Sequence, residues 1–310
     1  MKKCKVLQAR GKHLSRRWLF TLVVVCTLAI VPVPGQAANE VLEARIRATV
    51  EKIDAASNKQ DLEALLVNYA PGFRSADGLT YEATRKAVAA LWSKLSQPTY
   101  QTNVTAVVPQ KNQVRVNATT FLNAGYKSDL GEPGKLESQV ETSSLYEEQQ
   151  GAFKLVSQRV LAERTKLSIG SNPPQVNLNL PEAVRVGRPF KIEAILPTSL
   201  QKSPALGGIR LSPITARSPG AVEAPALEPL RTGGLFKTGQ APQRPTDQAI
   251  TLAIVRQGGL LLVNQRLKVT EGEPPKAATQ PELAKPADEK PAAKSSDPAP
   301  DNQTSKPKTE

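Results

Sequence analysis

Between residues 40 and 95 apolar side chains recur every three or four positions in three stretches: Leu42, Ile46, Val50 and Ile53; Leu62, Leu65, Leu66 and Tyr69; and Val88, Leu91, Trp92 and Leu95. That spacing predicts three amphipathic helices, each with one face to bury. Pro71-Gly72 stops the second, and Asp61 and Thr80 are suited to cap the second and third. The period then changes to two. Residues 100–109 alternate through Tyr100, Thr102, Val104, Ala106 and Val108, and residues 113–122 through Val114, Val116, Ala118, Thr120 and Leu122. Residues 138–149 and 152–162 read as a further pair of strands turning at Gln150-Gly151. Helices followed by an antiparallel meander predict an α+β domain over residues 38–169, its helices packed on one face of the sheet.

Beyond residue 170 the pattern is different. Strand-like runs occupy 175–180, 190–196, 249–256 and 260–270, and Gly258-Gly259 lies between the last two as a two-residue hairpin turn. From 198 to 248 prolines and paired glycines leave only short candidates at 209–211 and 235–237. Val184-Arg185-Val186-Gly187-Arg188-Pro189-Phe190-Lys191-Ile192 resembles the turn into the second strand of immunoglobulin-like sandwiches. A mostly β, sandwich-like domain is therefore expected over 170–272. In residues 273–310 eight prolines sit among Ala, Lys, Asp, Glu and Ser, with Leu283 the sole large aliphatic. Such a segment buries too little apolar area to offset its chain entropy, so a disordered tail is expected.

The order of elements in the first part, with Tyr69-Ala70-Pro71-Gly72-Phe73 closing the second helix and Asp77-Gly78 and Tyr81 opening the third, resembles the nuclear transport factor 2-like family. Four long strands ending in Phe153-Lys154-Leu155-Val156-Ser157 add to the likeness, which covers about 130 residues. The resemblance implies a strongly bent sheet wrapped round the helices as a cone with an apolar pocket. Members include ketosteroid isomerase, polyketide cyclase-like (SnoaL-like) proteins and dehydratases, together with domains that only bind or dimerise.

The charge balance depends on the start of the chain. Residues 1–37 carry seven Lys/Arg, no acid, both cysteines (Cys4, Cys26) and the single histidine (His13). An apolar run over 18–31 follows the basic stretch, then Pro32, Pro34 and Gly35-Gln36-Ala37-Ala38. Fourteen helical residues span about 21 Å, short of a bilayer core of roughly 30 Å. The segment reads as a signal peptide cut after Ala37, against the alternative of an uncleaved anchor. Export to the periplasm or exterior is expected by the general secretory route, with Arg16-Arg17 leaving the twin-arginine route as the alternative. Removal of the leader lowers the formal charge from +13 to about +6. The remaining chain has no thiol and no imidazole, which excludes a disulfide, a Ser-His-Asp triad and a His/Cys zinc site.

Proton transfer in such a chain would fall to Asp or Glu. Asp77, Glu82 and Glu141 are the carboxylate candidates, with Tyr69, Tyr81, Tyr100 or Tyr146 as hydroxyl donors. Each also has a plain structural use: Asp77-Gly78 as a turn, Glu82 at the positive end of a helix, Glu141 on a solvated strand face. Tyr69, Phe73, Tyr81 and Trp92 are the expected pocket lining, since they sit on the helices that would cap a cone. In the second part eight of twelve basic residues are arginines, and Arg185, Arg188, Arg256 and Arg266 are candidates for an anionic partner should they cluster. No phosphate-binding loop, dinucleotide fingerprint or calcium loop occurs, so neither cofactor nor metal is expected.

These features together predict an exported envelope binding or scaffolding protein, non-catalytic, taking a small apolar ligand or an envelope component. A homodimer through the exposed face of the first sheet is one expected state. No nucleic acid partner and no stable membrane span after cleavage are expected. The alternatives are a cofactor-free isomerase, dehydratase or hydrolase with a pocket carboxylate, and a binder of anionic cell-wall polymer or lipid through the basic second part.

Overall fold

The structure is a computed structural model that describes residues 34–129, 131–197, 204–215, 224–230 and 233–272. Most of the leader, the tail, Arg217 and Arg231 lie outside the described residues. The elements run α1 (Pro34–Asn58), α2 (Leu62–Leu66), β1 (Tyr69–Ser75), α3 (Tyr81–Lys94), β2 (Leu95–Gln110), β3 (Gln113–Lys127), β4 (Pro133–Gln149) and β5 (Ala152–Ile169). They continue as β6 (Asn177–Asn179), β7 (Ala183–Arg185), β8 (Pro189–Ile195), β9 (Ala205–Pro213), β10 (Glu228–Pro229), β11 (Gly234–Gln240), β12 (Gln248–Arg256) and β13 (Gly259–Thr270).

Strand β5 is the spine of the molecule. At 18 residues it is about 60 Å long. One edge pairs throughout with β4; the other is shared, its first half taking β1 in parallel and its second half taking β13 in antiparallel register from Gln265↔Arg164 to Leu260↔Ile169. The result is a ten-stranded sheet whose main path is β10-β9-β12-β13-β5-β4-β3-β2, with β11-β8-β6 as a separate three-stranded sheet.

This overturns the expected architecture, a helix-packed α+β cone followed by a separate sandwich. The protein is mostly antiparallel sheet, the described residues hold only three helices, and the large sheet runs unbroken through both halves of the sequence. The second predicted helix shrinks to five residues, because Tyr69–Ser75 leaves the helical path to pair with β5. The β12–β13 turn is Gln257-Gly258, one residue earlier than expected. Gly258 takes φ 96° there, while Gly259 already pairs with Arg256.

Side chains in register across neighbouring strands share a face, and the two faces are covered at opposite ends. Leu122, Ala124 and Leu136 pack with Ala56, Leu65, Trp92 and Leu95, so the helices cover one face in the first half. Ile250, Leu252, Ile254, Leu261, Val263 and Leu267 pack with Phe190, Ile192 and Ala194 of the small sheet. Leu167, against the helical core, pairs with Leu262, whereas Lys166 pairs with Val263 of the other core. The small sheet therefore lies on the opposite face from the helices. The free edge of β2 is in part satisfied by α1: Asp54 accepts from the Thr102 N–H (2.7 Å), and Asn58 accepts from the Tyr100 N–H and donates to its carbonyl. Helix side chains there do the work of a further strand, one of the ways an edge is kept from pairing with another chain.

Candidate functional site

The turn between β1 and α3 builds two features back to back. Its backbone is fixed locally: the Ser75 N–H donates to Leu79 O (2.8 Å), the Leu79 N–H to Ser75 Oγ (2.9 Å) and the Gly78 N–H to Ser75 O (3.0 Å). Asp77-Gly78 is thus the turn that its dipeptide predicts, with φ 91° at Gly78. The Ala76 N–H ties the turn to β5 at Gln158 O (2.8 Å), and Thr80 caps α3 by accepting from the Ala83 N–H (3.3 Å).

On one side of this turn lies an open depression of about 390 Å³, lined by Pro71, Gly72, Phe73, Arg74, Thr80, Tyr81 and Glu82. Three residues singled out from the sequence, Phe73, Tyr81 and Glu82, meet there. Tyr69 and Trp92 do not. Tyr69 stacks edge-on against the back of Phe73 (centroids 5.0 Å apart, 73°), and burial pushes its phenol up to about 12. Trp92 is 7% exposed in the helical core, its Nε1–H donating to the Tyr100 hydroxyl at 3.0 Å. Burial also raises the Tyr100 and Tyr146 phenols, so neither hydroxyl gives up its proton readily. Glu141 is exposed on β4, between Thr119 and Ala162 in the register.

On the other side of the turn Asp77 is clamped. Arg266 of β13 donates through Nη2 to Asp77 Oδ2 (2.5 Å), and through Nη1 to Asp77 Oδ1 (3.3 Å) and to Asp247 Oδ2 (3.0 Å). The Arg266 side chain is only 5% exposed. Burial would lower its pKa, but the hydrogen bonds and charges of Asp77 and Asp247, together with Glu163, outweigh that and leave it raised. Arg266 is therefore an internal strut and not an outward anion site. The other candidate arginines stay apart. Arg185 pairs beside Thr270 and donates to Glu271 O (3.2 Å), with Arg188 nearby, whereas Arg256 sits beside Gly259, about 35 Å away along β13.

Glu163 was missed by the sequence reading. It falls one residue past the expected end of its strand and carries no motif. In the structure burial pushes its carboxyl above the usual range; the Arg266 charge opposes this and Asp77 adds to it. A carboxyl raised in the folded state stabilises the fold in its protonated form, fully so below the unfolded value near 4.5, and this contribution is lost as pH rises through the folded value. Glu163→Gln is accordingly expected to leave the melting temperature near wild type at pH 4 and to raise it at pH 7 to 8, read by parallel thermal melts. A lower melting temperature at pH 7 would mean that ionised Glu163 is a net stabilising partner of Arg266.

Among the described residues no group of three or more His, Cys, Asp or Glu side chains could hold a metal, and no helix is long and apolar enough to cross a membrane.

Residues 171–270 match a family model described as a domain of unknown function (DUF8623). No curated protein matches the chain in sequence. Solved structures with partial likeness include Bd1075 of Bdellovibrio bacteriovorus (15% identity, TM-score 0.34), where the match covers 40% of this chain and 43% of that one. A protein of unknown function with a cystatin-like fold from Nostoc punctiforme matches at 10% identity and TM-score 0.30, over 38% of this chain and 88% of that one. A hexachlorocyclohexane dehydrochlorinase (LinA) matches at 10% identity and TM-score 0.34, over 40% and 87%. Likenesses this partial fix neither a ligand nor a reaction.

Proposed function

We propose that this chain is an exported, non-catalytic binding module of the cell envelope that holds a small, largely apolar ligand in the depression between β1 and α3. The observation that carries the reading is the lining itself. Pro71, Phe73 and Tyr81 form an apolar wall on a turn that Ser75, Gln158 and the Arg266 clamp hold in place. The test is a titration of the full-length mature chain with N-phenylnaphthylamine, a neutral dye that fluoresces in apolar sites. Gly72 has an ordinary negative φ, and an added Cβ would meet nothing within 4 Å. Gly72→Leu is thus expected to fill the depression without strain and to weaken dye binding about tenfold or more at unchanged melting temperature. Unchanged dye binding in that variant would remove the depression from the reading.

Export is supported by the basic stretch, the apolar run and the small residues before Ala38. Sequencing of the mature N-terminus from envelope fractions is expected to start at Ala38; retention of the leader would favour an anchor.

A further inference from the structure

The depression carries two charges of opposite sign that the fold does not use. Arg74 and Glu82 both line it, both are exposed, and neither has a side-chain hydrogen bond or ion pair with any described residue, including each other. Of the charged groups beside them in the chain, Asp77 is engaged by Arg266 and Arg85 by Glu63, while Lys86 lies one helical turn beyond Glu82. Tyr81, Phe73 and Pro71 line the same depression as the two free charges. At about 390 Å³ the space is at the small end of the roughly 300–1,000 Å³ found for ligand pockets, room for one ring and its substituents.

We propose that this depression takes a single-ring zwitterion of the amino-acid class. Its carboxylate would sit on the Arg74 guanidinium, its ammonium on Glu82 and its apolar body against Tyr81, Phe73 and Pro71. The inference rests on the reading of the depression as a ligand site and adds the chemistry that selects the ligand. A guanidinium presents paired N–H donors that match a carboxylate. A lone acid beside it repels a simple anion and accepts from an ammonium. A ligand carrying both charges therefore gains twice where either mono-ion gains once and meets one like charge. A neutral apolar molecule uses the wall alone.

Three fluorinated probes with one common ring separate these cases by fluorine NMR titration of the full-length mature chain: para-fluorophenylalanine, para-fluorophenylpropanoate, which lacks the ammonium, and para-fluorophenethylamine, which lacks the carboxylate. The zwitterion is expected to bind about tenfold or more tightly than either mono-ion. Arg74→Gln should abolish its advantage over the amine, and Glu82→Gln its advantage over the propanoate. Both side chains are exposed, so circular dichroism and thermal melts should report an unchanged fold in both variants. Equal affinities for the three probes, or a zwitterion affinity unmoved by both substitutions while the dye still binds, would overturn the zwitterion but leave the apolar site. Loss of dye and probes alike from the wild-type chain would overturn both.

Discussion

Arg266→Ala is expected to lower the unfolding free energy by about 3–5 kcal/mol, because removing one partner of a buried ion pair leaves the other charges uncompensated. The Arg266 side chain is 5% exposed, those of Asp77 and Asp247 21% and 29%, and Glu163 adds a third acid to the neighbourhood. Asp77 and Arg266 are 189 positions apart in the chain, so the pair closes a very long loop. Its loss should loosen the β1–α3 turn as well as the sheet. Asp77→Asn is expected to cost less, about 1.5–3 kcal/mol, since Asp247 still holds the guanidinium. Urea titrations of both single variants and the double variant would give the coupling. A loss below about 1 kcal/mol for Arg266→Ala would class the contact with exposed pairs and remove it as the strut between the halves.

Trp92→Ala should cost about 3–5 kcal/mol, the range for deleting a large buried aromatic. Trp92 packs with Leu95, Leu65, Ala56 and Leu122 where α3 meets β2, and its indole N–H is satisfied by Tyr100. Trp92→Phe keeps much of the packing and removes the donor, so it is expected to cost about 1–2 kcal/mol and to expose the hydrogen-bond share. The two variants discriminate between Trp92 as core and Trp92 as cavity wall. A wall residue facing open space would lose little on truncation, whereas a core residue loses its contacts and leaves a void.

Much of the local structure was legible in the sequence because its cause is local. The helical stripe through Val88, Leu91, Trp92 and Leu95 became α3 with Thr80 as its cap, and the period-two runs became β2 to β5. The 249–256 and 260–270 runs became the β12–β13 hairpin within one residue. Phe73, Tyr81 and Glu82 line one depression because a single short turn joins their elements. Arg74 was passed over although it follows Phe73 in β1, for an exposed arginine has no pattern to mark it.

The remainder was decided by contacts between distant parts of the chain. Tyr69 continues a helical stripe, yet β5 draws it into a parallel pairing that no spacing announces. The sequence pattern ends the strand at 162, before charged Arg164 and Lys166; β5 nevertheless runs on to Ile169, where β13 arrives on its edge and fuses the two halves into one sheet. Arg266 was expected as a candidate for an anionic partner outside the chain and Glu163 carried no motif, yet the anions that meet Arg266 are Asp77 and Asp247 of the chain itself. Periodicity records which side of an element is apolar, and so the sequence by itself determined the elements, their faces and the turn that shapes the depression. It does not record which free edge finds which partner or which buried charge finds its counter-charge. Those are properties of pairs far apart in sequence, and the tertiary structure alone decided them.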